Sequence, residues 1–188
     1  MDKIIGFSNL QTGQRVKVKG KTAADGKFVA LEIGIKPPDE GVAIESKVQA
    51  IDPQKNALRL MNRDFPVRPG VEVKSMQRES ITVQNLKAGD IVKLKGTYSP
   101  STGFVLTRVK VQESKGFSID ELQGSINNID QANKTLDVLG FTITVNEKTE
   151  IEGFGRPERG ERPDRANRPD RPDRPDRPDR PRRRDDRD

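Results

Sequence analysis

The stretch Asn9-Leu10-Gln11-Thr12-Gly13-Gln14-Arg15-Val16-Lys17-Val18-Lys19-Gly20 recurs as Asn85-Leu86-Lys87-Ala88-Gly89-Asp90-Ile91-Val92-Lys93-Leu94-Lys95-Gly96. The match continues without gaps to Lys36 and Gln112 at an offset of 76, and it takes in Phe28-Val29 and Phe104-Val105. Self-similarity at a fixed spacing is the signature of one structural unit used twice. Inside the stretch, Arg15 to Lys19 alternates polar and apolar residues with period two, the pattern of a half-buried strand. Thr107 to Val111 and Phe141 to Val145 do the same. Asp25-Gly26, Asp52-Pro53, Ser99-Pro100 and Thr102-Gly103 punctuate the strands with turn residues. No amphipathic helix is visible, and Ser114 to Leu122 has room for one short turn.

A second match sets Val48 to Asn62 on Ile126 to Gly140, with Ile51-Asp52 on Ile129-Asp130 and Leu58 on Leu136. A two-residue insertion at Arg63-Asp64 then puts Phe65 on Phe141 and Val67 on Ile143. Only one unit is contiguous, residues 47–113. The chain opens with the second half of a unit, residues 4–36, and its body closes on a first half, residues 122–154. Ile151-Glu152-Gly153-Phe154 reads like Ile4-Ile5-Gly6-Phe7, which puts the break at one point of the unit on both sides. A lone half is two or three strands with an exposed edge, marginal in water. The terminal halves are therefore expected to pair and complete a second, circularly permuted barrel. Tethering by the intervening unit favours pairing within one molecule, and exchange between molecules would give a domain-swapped dimer. The expected fold is all-β: two small OB-like or SH3-like β-barrel units.

From Gly155 onward the only hydrophobic residue is Ala166, and Arg-Pro-Asp repeats between Arg168 and Asp179. Such a segment cannot offset its ordering entropy, so 155–188 is expected to be a disordered tail. The net charge of +6 divides evenly, because residues 1–154 hold 22 basic and 19 acidic side chains and the tail holds 13 and 10. Neither part shows the concentrated positive field of a dedicated nucleic-acid binder. The absence of Cys and His removes disulfides, thiolate nucleophiles, imidazole bases and most zinc sites. No cofactor is expected. No apolar run approaches the roughly 20 residues that span a bilayer. Met1 to Ile5 lacks the apolar core of a secretory signal, so the expected location is cytoplasmic unless an export signal precedes this chain.

Candidate contacts with an anion or partner are few. Lys17, Lys19, Lys93 and Lys95 lie on the outward face of equivalent strands. They read either as a basic stripe for phosphate or an acidic polymer, or as a solvated face whose lysines discourage edge-to-edge pairing. Arg59, Arg63 and Arg68 gather around Asp64 and Phe65, as an anion contact or as a set of weak surface ion pairs. Tyr98, the lone tyrosine, sits beside a turn where it can stack on a ligand. Phe28, Phe65, Phe104 and Phe141 recur in both units and read as core rather than as stacking platforms. Asp39-Glu40 and Asp120-Glu121 are adjacent carboxylates that point apart on extended backbone, which is not the convergent pair that acid–base chemistry needs.

The Asn-Leu-x-x-Gly-x-x-Val-Lys-x-Lys-Gly residues at 9–20 and 85–96, with Ile-Asp at 51–52 and 129–130, resemble the bacterial family known as domain of unknown function 5666. The resemblance implies tandem small β-barrel units in proteins often of the cell envelope, and the Arg-Pro-Asp tail is similar to tails on such proteins. Gly13-Gln14, Gly20-Lys21, Asp25 to Ala30 and Glu32-Ile33 also look like the end of the oligonucleotide/oligosaccharide-binding barrel of a periplasmic haem chaperone, whose haem-attaching His has no counterpart here. The expected function is a non-catalytic scaffold or binding module of the bacterial envelope. Its partner would be a protein or an anionic polymer. The alternative is a nucleic-acid-associated protein that binds RNA or single-stranded DNA weakly, through the barrel surface and the Arg-rich tail.

Overall fold

The architecture comes from a computed structural model that describes residues 3–39, 41–114 and 117–153. The expectations for residues 155–188 lie outside those residues. Fourteen strands follow one another: β1 (Lys3–Ile4), β2 (Arg15–Thr22), β3 (Phe28–Ile35), β4 (Val42–Lys47), β5 (Ala50–Asp52), β6 (Ala57–Leu60), β7 (Arg63–Pro66), β8 (Glu72–Lys74), β9 (Ile91–Ser99), β10 (Gly103–Gln112), β11 (Asp120–Asp130), β12 (Thr135–Val138), β13 (Phe141–Thr144) and β14 (Glu150–Gly153). The fold is all-β, as the alternation predicts; two single-turn 3-10 segments, Phe7–Asn9 and Val83–Asn85, are the other regular elements among the described residues. Phe117 N–H donates to Ser114 C=O, and β11 begins at Asp120.

The two ends of the body close one barrel within a single chain. β2 pairs with β3, β3 with β13, β13 with β12, β12 with β11, and β11 with β2. That ring joins residues near the N-terminus to residues 120–144 through six β2–β11 pairs, from Asp120↔Gly20 to Ser125↔Arg15. Its interior is apolar: Val16, Val18, Phe28, Ile33, Leu122, Leu136 and Ile143 are all fully buried. Polar neighbours such as Lys17 and Lys19 face out, as period two requires.

The contiguous unit repeats these pairings except at the β13–β3 seam. Lys19↔Glu32 corresponds to Lys95↔Arg108, an offset of 76. Both β-hairpins carry the same bulge, which leaves Leu31 and Thr107 as the extra residues. In the other half, Leu58↔Phe65 corresponds to Leu136↔Ile143, an offset of 78. The hairpin turns match too: Met61-Asn62 and Leu139-Gly140 all have positive φ, the backbone of a two-residue hairpin turn. The insertion expected at Arg63-Asp64 is therefore absent. Phe65 stands at the position of Ile143, and the recurrence of Phe at 65 and 141 is a coincidence of composition.

The break in the permuted unit also differs from the sequence reading. Ile151-Glu152-Gly153 and Ile4-Ile5-Gly6 are not equivalents but antiparallel neighbours: Ile4 lies opposite Glu152, and Ile5 N–H donates to Ile151 C=O, as Ile81 N–H donates to Val73 C=O. In the contiguous unit the loop 75–79 joins those two strands. In the permuted unit the same place is occupied by the two ends of the body, with Lys3 opposite Gly153.

The contiguous unit closes differently. β13 and β3 form a parallel ladder at Ile143↔Phe28 and Thr144↔Val29. At the corresponding seam Pro66 replaces Thr144 and has no N–H to donate. The rings of Phe65 and Phe104 meet edge to face across it, 5.6 Å between centroids, so aromatic packing substitutes for hydrogen bonds.

The shared motif is explained by this geometry. The side-chain oxygens of Asn9 and Asn85 accept from the N–H of Gly6 and Thr82 and hold the two 3-10 turns. Leu10 and Leu86 are buried below them. At Gly20 and Gly96 a Cβ would run into the carbonyl oxygens of Val29 and Val105. Gly96→Ala is expected to destabilise the protein by about 2 kcal/mol through overpacking against backbone, read as a lowered denaturation midpoint. A circular permutant opened between Gln77 and Arg78, with a short turn joining Gly153 to Lys3, is expected to fold with the same circular dichroism spectrum. Its Tm should lie within about 5 °C of the parent.

Candidate anion-binding groove

The two units meet edge to edge. β4 pairs antiparallel with β11 through Ala43↔Gln123, Ile44↔Leu122 and Glu45↔Glu121. Ile44 and Leu122 are equivalents under the 78-residue offset, so the units are related by a pseudo-two-fold axis through that pair. One sheet therefore runs across both units, in the order β14, β3, β2, β11, β4, β9, β10, β8.

Its outward face carries two rows of side chains. The first row reads Lys74, Lys110, Lys93, Glu45, Glu121, Lys19, Glu32, Glu150 across successive strands. The second reads Glu72, Arg108, Lys95, Ala43, Gln123, Lys17, Gly34, Glu152. At six matched outward positions the contiguous unit has Lys74, Lys110, Lys93, Glu72, Arg108 and Lys95. The permuted unit has Glu152, Gly34, Lys17, Glu150, Glu32 and Lys19. Five cations and one carboxylate thus face two cations and three carboxylates, +4 against −1.

Residues 2–34 and 123–159 match the model of a domain of unknown function, DUF5666. The chain carries a DUF5666 domain. The matched segments contain the strands that close the permuted barrel. No curated protein and no solved structure matches the chain significantly.

Beside the DUF5666 barrel, the cationic half of the face forms a groove of about 330 Å³ lined by Glu72, Lys74, Arg78, Lys93, Lys95, Arg108 and Lys110. Arg78 comes from the loop that joins β8 to the 3-10 turn, at a place where the permuted barrel is cut and has no loop. Glu72 is the sole carboxylate of the lining. It lies 3.1 Å from the Lys74 Nζ and also pairs with Arg108. Lys74 and then Arg108 hold its carboxyl below the usual carboxylate range. Lys93 lies 3.5 Å from Glu45.

The sequence candidates divide among three roles. Lys93 and Lys95 line the groove. Lys17 pairs with Glu121 at 2.8 Å and Lys19 with Glu32 at 2.8 Å. The Glu32 contact holds the Lys19 ammonium above its ordinary pKa. Arg63 lies over the Phe141 ring at 4.0 Å and donates to Gly140 C=O, pinning one unit's hairpin to the other's. Tyr98 is packed against the core, its ring edge beside Gly140. Arg59 lies 3.9 Å from Asp64, and Arg68 is exposed just beyond β7. Neither lines the groove. Lys74, Arg78, Arg108 and Lys110 were missed because the parallel pairing of β8 with β10 brings them together. The available signal was the mismatch between copies: Arg108 against Glu32, Lys110 against Gly34.

Glu72→Gln removes the only negative charge of the lining. It is expected to strengthen polyanion binding about fivefold at low salt, and less as salt screens the exposed charge. Lowering the pH of the unmodified protein through the depressed titration of Glu72 should act in the same direction. Fluorescence anisotropy titrations check both.

Proposed function

We propose that the protein is a non-catalytic β-barrel binding module of the bacterial cell envelope, and that it takes an anionic partner in the groove between β8, β10 and β9. The observation that carries this reading is the divergence of two otherwise matching units: +4 against −1 at six superposable outward positions. Like charges placed directly opposite one another on paired strands destabilise a sheet. Lys74, Lys110 and Lys93 are such neighbours, and a bound anion would relieve them.

A non-catalytic role is favoured by what the carboxylates do. Asp120 accepts from Ser46 Oγ at 2.7 Å, and Glu121 is held by Lys17. Both fasten strands together. The nucleic-acid alternative is less favoured, because single-strand binders stack bases on exposed aromatics and no aromatic side chain lines this groove. Among the described residues no helix is long and apolar enough to cross a membrane. Placement in the envelope follows from the family resemblance and is tested by fractionating cells that express the full gene.

The binding test uses fluorescein-labelled dextran sulfate and the full chain. Lys95→Glu/Lys110→Glu is expected to weaken binding at least tenfold, about 1.4 kcal/mol. Lys17→Glu/Lys19→Glu is expected to leave it within about twofold. Equal losses from both variants would mean that the groove is not the site. Affinity should fall steeply with salt, as it does for polyanions released from bound counterions.

A further inference from the structure

Among the described residues, three of the six groove cations have no carboxylate partner: Lys95, Lys110 and Arg78. Glu72 is shared between Lys74 and Arg108, and Glu45 faces Lys93. Six cations against Glu72 and Glu45 leave about four positive charges at a groove of about 330 Å³. Few chemical groups bring that much negative charge into so small a volume. A carboxylate supplies one charge and brings its own carbon skeleton. A phosphate monoester supplies about −1.5 to −2 on one compact tetrahedron, with three acceptor oxygens. Lys and Arg offer only donors.

The spacing of the cations fits two such groups. The first row places Lys74, Lys110 and Lys93 on adjacent strands, about 4.8 Å apart. The second row places Arg108 and Lys95 side by side, with Glu72 at its end. Two residues along each strand separate the rows by about 7 Å. Arg78 reaches the same groove from the loop 75–79.

We infer, on the reading of the groove as an anion site, that its ligand is a compact group bearing two neighbouring phosphoryl groups, one over each row of cations. The oxygens of one phosphoryl accept from Lys74, Lys110 and Lys93, and those of the other from Arg108 and Lys95. Such a group occurs on phosphorylated lipid headgroups and on soluble diphosphates, and the groove recognises the chemistry common to both.

Isothermal titration of the full chain with inorganic pyrophosphate, orthophosphate and citrate, at matched ionic strength without divalent cations, tests the inference. Pyrophosphate is expected to bind at least about tenfold tighter than orthophosphate or citrate. Arg108→Glu/Lys110→Gly installs what the permuted unit carries at Glu32 and Gly34, and should abolish pyrophosphate binding while keeping the circular dichroism spectrum of the folded protein. Because that variant sets a second carboxylate opposite Glu72 and lowers stability, Lys95→Gln, at an exposed position, is the second variant and should weaken pyrophosphate several-fold at an unchanged thermal transition. Glu32→Arg on the other unit should leave the affinity unchanged.

Citrate binding as tightly as pyrophosphate would overturn the phosphoryl assignment while leaving an anion site in place. So would dextran sulfate binding with no pyrophosphate binding. Failure of both probes would overturn the anion site itself. Full pyrophosphate affinity in both groove variants would place the ligand elsewhere. Co-sedimentation with phosphatidylcholine vesicles only when they contain diacylglycerol pyrophosphate, whose headgroup carries two linked phosphoryl groups, would assign a headgroup source. Pyrophosphate binding without vesicle binding would assign a soluble one.

Discussion

Strand β11 is hydrogen-bonded to three others, and the rest of the fold depends on it. Along one edge it pairs with β2 from Asp120 to Ser125. Along the other it pairs with β4 as far as Gln123 and with β12 from Ile126 onward, the second ladder carrying a bulge between Ile126 and Asn128. One eleven-residue strand thus closes the permuted barrel and joins that barrel to its neighbour. The change of partner falls between Gln123 and Ile126, and the bulge just beyond it adds to the bend and twist of the strand as it runs into the ring. Leu122, at the junction, is fully buried and opposite Ile44, which is buried to the same extent. The contact between the units is therefore core, with the density and cost of disturbance that a core implies.

The permutation follows from the same arrangement. Cutting a barrel at a tight turn costs little when the flanking strands remain paired, since loop closure entropy is small compared with a ladder. Here β1 and β14 remain paired across the cut, and β14 runs parallel to β3. The N-terminal half is held further by Thr149 Oγ1, which donates to Ala30 C=O at 2.7 Å.

Much of this was legible in the sequence, and the failures are instructive. The alternation in Arg15–Lys19 and Phe141–Val145 gave strands, and the half units at each end required one another. The alignment of the second half went wrong because Phe65 and Phe141 look alike, while the hairpin turn that sets register is Met61-Asn62 in one copy and Leu139-Gly140 in the other. A turn fixes which residues face each other, and side-chain identity does not. The candidate site was half visible. Lys93 and Lys95 attracted notice because they recur in both units, but recurrence selects what the fold needs. Asn9, Leu10, Gly13 and Gly20 recur for reasons of turn, core and close approach. The groove is built by residues that do not recur, and two of its strands lie more than thirty residues apart in sequence.

That contrast bears on why the two halves of the sheet differ. Outward positions on these strands are free of core constraints, so their charges can change while every ladder and buried contact stays in place. In the permuted unit Lys17 and Lys19 are matched to Glu121 and Glu32, and only Glu32 and Glu150 set like charges opposite each other at these positions. In the contiguous unit the same positions hold cations beside cations. Each opposed like-charge pair costs a few tenths of a kcal/mol or more, and a single change to Glu at Lys110, which lies opposite both Lys74 and Lys93, would remove two of them. Stability is easily improved at such places by ordinary substitution. A surface that keeps three opposed like-charge pairs, next to a copy of itself that keeps one, is one whose charge serves something other than the fold.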